Sequence, residues 1–128
     1  MESQTILIVS SNDAQSKFMV DCLADAGYET WVADQGENAI LNSQKETPNL
    51  IILDWGFLNS NGMQFIRKIR AKEKIAHLPI LVMGAEMMEE DVLASLDAGA
   101  DICLTERLHP KVFVARVRSL LRRRNHRN

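Results

Sequence analysis

Asp54 is the residue of this sequence whose type and position are best suited to chemistry. It directly follows an apolar run, Leu50 to Leu53, of the kind that forms an internal β-strand. A carboxylate at the C-terminal end of a buried strand can bind a divalent cation or accept a transferred group when other polar residues approach it. The chemistry of Asp54 therefore depends on the residues that follow the neighbouring strands.

The residues after the other strand-like runs would help Asp54 little. They are neutral or acidic: Ser10 and Ser11 after residues 6–9, Gly84 and Ala85 after residues 80–83, and Thr105 and Glu106 after residues 102–104. If these strand ends converge, Asp54 has no acid from the first strand with which to share a metal ion, and no lysine. We therefore expect neither a metal site nor a catalytic residue, and predict that the chain is not an enzyme.

The composition is that of one soluble globular domain. A chain of 128 residues with 46% hydrophobic and 25% charged residues can bury a core and fold unaided. Cys22 and Cys103 lie far apart, and no close pair suggests a redox or metal motif, so we expect a reduced, cytoplasmic protein. No apolar stretch approaches the roughly 18 residues that span a bilayer, so we expect no membrane association.

The charges are distributed unevenly along the chain. Residues 1–115 hold nine basic and seventeen acidic side chains, a balance of −8, whereas residues 116–128 hold six arginines and no acid. The arginines could bind nucleic-acid phosphates, or they could form the basic end of a helix that continues into a solvated linker. We favour the second interpretation. It predicts a domain at residues 1–121, with a basic tail or the start of a linker at 122–128.

Four-residue apolar runs alternate with segments of helical period, which predicts βαβ units and an α/β fold with a parallel sheet. We predict five strands and five helices. The first helix has Asp13 as its N-cap and is ended by Gly27, and the last helix begins at Pro110. The other helices are predicted near residues 37–43, 63–71 and 89–98. Residues 55–62 are predicted to form a loop.

The loops that follow parallel strands lie at one edge of a sheet, where ligands bind. We therefore expect one crevice surrounded by Ser10, Ser11, Asp54, Gly84, Ala85 and Glu106. A phosphate-binding first loop would need glycines, and residues 10–13 contain none. The sequence also lacks a G-x-S-x-G motif, and its three histidines are scattered over loops and the tail. These observations argue against a phosphate-binding enzyme or a hydrolase.

Four stretches, in this order, resemble one known family: ILIV at 6–9, PNLIILDW at 48–55, GMQFIRKIR at 62–70 and AGAD at 98–101. They are similar to the CheY-like receiver domain of two-component response regulators, especially the winged-helix (OmpR/PhoB-like) subfamily. The resemblance covers nearly the whole chain. It implies a flavodoxin-like, doubly wound (βα)5 fold with a five-stranded parallel sheet of order 2-1-3-4-5.

The resemblance places Asp54 at the family's phosphoacceptor position, but it finds the other site residues replaced. Ser10 and Ser11 stand where the family has its Mg²⁺-binding acids, and Gly84 stands where it has a Thr or Ser after the fourth strand. Glu106 and Arg107 replace the family's Lys-Pro pair. Cys103 replaces the switch aromatic of the fifth strand, and Leu58 replaces the proline four residues beyond the phosphoacceptor. Neutral serines are poor Mg²⁺ ligands, and Glu106 would repel an acylphosphate. We expect inefficient phosphorylation of Asp54 and no cofactor.

Receivers of this subfamily dimerise through the fourth helix, fifth strand and fifth helix, which implies a similar homodimer here. The family's interchain pairs correspond to Asp101 with Arg116, Asp97 with Arg118, and Val92 with Val112. Two pairs keep opposite charges, and the third could bury apolar area. The alternative is that these charges only solvate two helix faces, where exposed pairs contribute roughly 0–1 kcal/mol.

The function that we infer from the sequence is an atypical, pseudo-receiver domain that signals by phosphorylation-independent protein association. Dimerisation, or docking of a regulatory protein, would control a DNA-binding output domain outside this chain. One alternative is a working receiver, phosphorylated on Asp54 by a histidine kinase with Mg²⁺. Another is a stand-alone nucleic-acid binder that uses Arg122 to Arg127, although we expect no direct nucleic-acid binding by this domain.

Overall fold

A computed structural model describes residues 4–106 and 108–126 of the protein. Its strands are β1 (Thr5–Val9), β2 (Glu29–Ala33), β3 (Leu50–Asp54), β4 (Ile80–Met83) and β5 (Ile102–Leu104). All neighbouring strands are parallel, and their order across the sheet is β2-β1-β3-β4-β5. The expected flavodoxin-like α/β fold is confirmed.

The described chain contains six helices, one more than the sequence predicted. They are α1 (Asp13–Asp25), α2 (Gly36–Lys45), α3 (Trp55–Asn61), α4 (Gln64–Ala71), α5 (Glu89–Ala98) and α6 (Pro110–His126). The prediction that Asp13 caps α1 was wrong by one residue. The cap is Asn12, whose side chain accepts a hydrogen bond from the backbone N–H of Gln15 at 3.0 Å.

The loop predicted at residues 55–62 was also wrong, because α3 occupies most of it. The segment contains glycine, asparagine and serine, which have low helix propensity in isolation. Phe57 and Leu58 are nevertheless almost completely buried, so tertiary packing outweighs the local preference. Gly62 ends the helix with φ +86°, a left-handed conformation that favours glycine.

The sheet has one hydrophobic layer on each face. Side chains alternate along β1, so Leu7 and Val9 belong to one layer and Ile6 and Ile8 to the other. The first layer is completed mainly by α3 and α4, and the second by α1 and α6. The inward-facing residues of α4 and α6 are buried: Phe65, Ile66, Ile69, Phe113, Val117, Leu120 and Leu121.

Helix α6 continues beyond the predicted domain boundary at residue 121 and runs to His126. Arg122 and Arg123 are exposed on it. The division at residue 121 stays a prediction, although the backbone of the described part of the predicted tail is helical. None of the helices in the described ranges is both long enough and apolar enough to cross a membrane.

Candidate functional site

The strand register brings the candidate residues to one edge of the sheet. Asp54 is aligned with Met83 across β3 and β4, and Met83 is aligned with Leu104 of β5. A crevice of about 580 Å³ opens at this edge. Its lining includes four of the six residues that the sequence predicted: Asp54, Gly84, Ala85 and Glu106.

Ser10 and Ser11, the other two predicted residues, differ in their surroundings. Ser10 is buried directly after β1, and its hydroxyl donates to the Asn12 carbonyl at 3.3 Å. The hydroxyl also lies near enough to the Asp54 carboxyl to favour its charged form and lower its pKa. Ser11 is exposed and does not line the crevice.

Burial is the main influence on Asp54, whose exposed fraction is 7%. It raises the pKa of the Asp54 carboxyl, because the charged form loses its hydration. The nearby Ser10 hydroxyl and the backbone N–H groups of Phe57 and Gly56 oppose this effect, because they favour the charged form. The nearby carboxylate of Glu86 raises the pKa further. The net result is a pKa above the ordinary value for aspartate.

Acidic groups dominate the charge of the crevice. Asp54, Glu86 and Glu106 all line it, whereas no described lining residue is lysine, arginine or histidine. Arg107, the counterpart of the family's proline, lies outside the described residues. Within the part of the chain that the structure describes, no three His, Cys, Asp or Glu side chains are grouped so as to hold a metal ion. Sequence reasoning missed Glu86, which follows the β4 end by three residues.

Gly84 and Trp55 are in unusually close contact. A Cβ atom added to Gly84 would lie 2.3 Å from Cβ of Trp55 and 3.0 Å from its Cγ. Trp55 is buried and contributes to the crevice wall. The place of a side chain at position 84 is therefore taken by Trp55.

Two further candidate positions lie behind the crevice. Cys103 is half-buried in β5, and burial raises the pKa of its thiol. The nearby hydroxyl of Ser95 in α5, which donates to Met63 Sδ at 3.6 Å, lowers the pKa of the thiol and partly offsets the increase. Leu58 is fully buried within α3. Neither residue lines the crevice, so both belong to the packing that supports it.

A family profile for the response regulator receiver domain matches residues 6–118, most of the chain. The chain belongs to the response regulator receiver family. This receiver is 34% identical over 118 residues to the KDP operon transcriptional regulatory protein KdpE of Escherichia coli, covering 92% of the chain and 51% of that protein. It is 31% identical over 123 residues to the phosphate regulon transcriptional regulatory protein PhoB of Pseudomonas aeruginosa, covering 96% and 54%.

Solved structures support the same fold. A CheY-like receiver domain protein from Methanospirillum hungatei JF-1 superposes with a TM-score of 0.87 at 20% identity, covering 99% of this chain and 100% of that one. The receiver spans about half the length of the curated relatives that it matches. It is thus a receiver domain of two-component signalling, related to the OmpR/PhoB subfamily, and receivers interact with histidine kinases and other partners.

The receiver face formed by α5, β5 and α6 exposes both apolar and charged side chains. Val112 is 41% exposed, and Val92 is half-buried. Met88, Leu93 and Leu96, which sequence reasoning missed, are more than 40% exposed. All four charged candidates, Asp97, Asp101, Arg116 and Arg118, are exposed. The face therefore combines apolar area with charge.

Asp101, the fourth charged candidate, is engaged within the receiver itself. Its Oδ2 accepts a hydrogen bond from the Ile80 backbone N–H at 2.8 Å, and it forms an ion pair with Arg70 at 2.9 Å. Arg70 also donates to the Gly99 carbonyl from Nε at 3.0 Å and from Nη2 at 2.7 Å, and to the carbonyls of Ala76 and Leu78. Asp101, in the loop before β5, therefore connects to the start of β4 through Ile80 and to α4 through Arg70.

Proposed function

We propose that this receiver signals through protein association rather than through phosphorylation of Asp54. The observation that carries the proposal is the charge of the crevice, where three carboxylates face one cavity without a described basic residue. An acylphosphate on Asp54 would add roughly −1.5 to −2 charge beside Glu86 and Glu106. Phosphoryl transfer needs cations beside the equatorial oxygens of the transferred group, where they stabilise its negative charge.

The described residues fit Mg²⁺ poorly. This hard cation prefers carboxylates together with water and phosphate oxygens, but the two residues after β1 are Ser10 and Ser11, and the Oδ1 of Asn12 already caps α1. The Ser10 hydroxyl faces Asp54, and Ser11 is outside the crevice. Each missing contact is expected to slow transfer by about 10²-fold, as when one preorganised donor is removed from an active site.

The face of α5, β5 and α6 supplies the associating surface in this proposal. Its exposed apolar residues, with Val92 facing Val112 of a second copy, would bury area at about 25 cal/mol per Å². The Asp97 and Arg118 side chains are exposed and of opposite charge, so they can pair across a two-fold axis. The internal contacts of Asp101 use its Oδ2 and already pair its charge with Arg70, so a further pair with Arg116 contributes less.

The output is proposed by analogy with the curated relatives. KdpE and PhoB are named as transcriptional regulatory proteins, and each is about twice as long as the aligned region. Association of two receivers would bring two output domains together, which suits a DNA site with repeated halves. A regulatory protein could use the same face, since a single surface can bind different partners.

The experiment exposes the wild-type chain to acetyl phosphate and Mg²⁺ and measures intact mass, alongside sedimentation without a phosphodonor. We expect no mass gain and a concentration-dependent dimer. The matched gain-of-function variant combines Ser10→Asp, Ser11→Asp and Glu106→Lys, and is expected to gain one phosphoryl group. Asp54→Asn on that background should not.

A phosphoryl group on wild-type Asp54, formed as readily as in the restored variant, would contradict the proposal and favour a working receiver. If the wild-type chain stays monomeric at all concentrations without the phosphodonor, the proposed associating surface is contradicted.

A further inference from the structure

The contact between Trp55 and Gly84 joins two connections at the crevice edge. Trp55 is the first residue of α3, directly after the phosphoacceptor position, and Gly84 directly follows β4. The separation of 2.3 Å between Trp55 Cβ and a Cβ built on Gly84 is far below the distance that real Cβ atoms adopt. The two backbones approach this closely only because residue 84 has no side chain.

Rotation of the Trp55 side chain cannot create room at position 84. The nearest atom is Cβ, whose position is set by the backbone and does not change with χ1. A residue other than glycine would therefore force the β3–α3 and β4–α5 connections apart. By contrast, a Cβ built on Gly36 meets Cε1 of Phe65 at 2.6 Å, and the position of that ring atom depends on side-chain torsions and not on the backbone alone.

The same contact leads directly to α5. Met87 Cγ lies 3.3 Å from the Cβ position of Gly84, and the Met87 N–H donates to the Gly84 carbonyl at 3.3 Å. Met87 and Trp55 are buried in the same hydrophobic cluster. The next residue, Met88, is the N-cap of α5, so the packing of Trp55 sets where this helix begins.

We propose that the Trp55–Gly84 contact holds the β4–α5 connection in a single position and so keeps the α5 face formed without a phosphoryl group. This inference rests on the proposed function, because it explains how the face stays available when Asp54 is unmodified. Trp55 is thereby a positioning residue that acts on α5 through Gly84 and Met87. The contact replaces a covalent signal with permanent packing.

Hydrogen exchange of backbone amides tests the proposal in the full chain. Gly84→Ala is expected to speed exchange about tenfold or more at Met87, Asp91 and Val92, because over-packing at a backbone contact destabilises the local structure. These three amides hydrogen-bond within the loop and the first turn of α5. Gly36→Ala is the matched control and should leave them unchanged.

A second variant keeps the test decisive if Gly84→Ala does not fold. Trp55→Gly removes Cβ and Cγ, the two Trp55 atoms nearest the Gly84 position, and it should speed exchange at the same amides while those of α1 stay protected. Unchanged exchange at these amides in both variants, or an equal increase in Gly36→Ala, would overturn the contact's role.

Failure of this inference is distinguishable from failure of the proposed function. Exchange at the start of α5 is measured on the chain alone and does not require a dimer. If wild-type Asp54 is phosphorylated but Gly84→Ala still speeds exchange at the start of α5, only the proposed function is refuted. If the wild type is unmodified and dimeric but Gly84→Ala leaves exchange at the α5 amides unchanged, only the inference is refuted.

Discussion

Asp54 is held between two opposing influences. Burial disfavours its charge, while Ser10 and two backbone N–H groups favour it. Burial is the larger effect, so the folded state binds the Asp54 proton more tightly than the unfolded state does. Proton binding at Asp54 therefore contributes to the free energy of unfolding. This contribution is fully present below the ordinary carboxyl pKa and is lost as pH rises through the folded pKa. At neutral pH, Asp54 is a source of instability.

Asp54→Asn should consequently raise the free energy of unfolding at pH 7, by about 1 kcal/mol. The gain should shrink as pH falls and disappear by about pH 3, where most of the carboxyl is protonated in both states. Urea denaturation between these pH values measures it, and Asp25→Asn on the exposed side of α1 corrects for the change in net charge. A gain that is constant with pH would contradict the raised pKa.

At the residue scale, the sequence located most of the crevice but not its interior contacts. Asp54, Gly84 and Glu106 meet as expected, because parallel strands bring their C-terminal ends to one edge. Ser11 is exposed in the bend that follows β1 and does not line the crevice. The proximity of Trp55 to Gly84 could not be predicted, because it depends on how closely two backbones approach.

Among the elements, α5 and β5 depend on a side chain from α4. Arg70 joins the carbonyls of Gly99, Ala76 and Leu78 to the carboxylate of Asp101. Gly99, with φ +127°, lies so close that an added Cβ would come within 2.8 Å of the Arg70 Cγ. The planar guanidinium suits several acceptors at once, whereas a lysine ammonium would satisfy fewer.

Arg70→Ala is expected to lower the free energy of unfolding by about 2–3 kcal/mol, because several partly buried acceptors lose their donor. Arg70→Lys should cost less. The matched control is Arg67→Ala, an exposed residue of the same helix, which should stay within about 0.5 kcal/mol of wild type. Guanidinium denaturation gives the three values, and equal effects at 67 and 70 would argue against the role of Arg70.

The element pattern was predictable where hydrophobic period and end signals agreed. Pro79, Gly99 and Pro110 mark the beginning of β4, the end of α5 and the beginning of α6 as expected. Helix α3 was missed because its residues favour turns and its stability comes from burial of Phe57 and Leu58. Arg70 gave no local signal, since its partners lie up to 31 residues away.

The whole molecule places its acidic crevice and its proposed associating face on adjoining elements. The Asp97–Arg118 pair is the better electrostatic test of that face, because Asp101 is already engaged by Arg70. Two-fold symmetry repeats each pair, so one charge reversal changes two contacts.

Asp97→Arg and Arg118→Asp should each weaken dimerisation by about tenfold at low salt, since each turns attraction into repulsion. The double variant should restore it, because the pair is reversed but complementary. Sedimentation across concentration measures the dissociation constants, with Glu37→Arg on α2 as the control for net charge. No recovery in the double variant would mean that these two residues do not pair.

The position of the two tryptophans has a practical consequence. Trp55 lines the crevice, whereas Trp31 is half-buried on β2, at the edge of the sheet. A Trp31→Phe chain would carry one intrinsic fluorophore beside the acidic cavity. Its emission and quenching would report small molecules entering that cavity without any added dye, so compound libraries could be screened directly on the unlabelled protein.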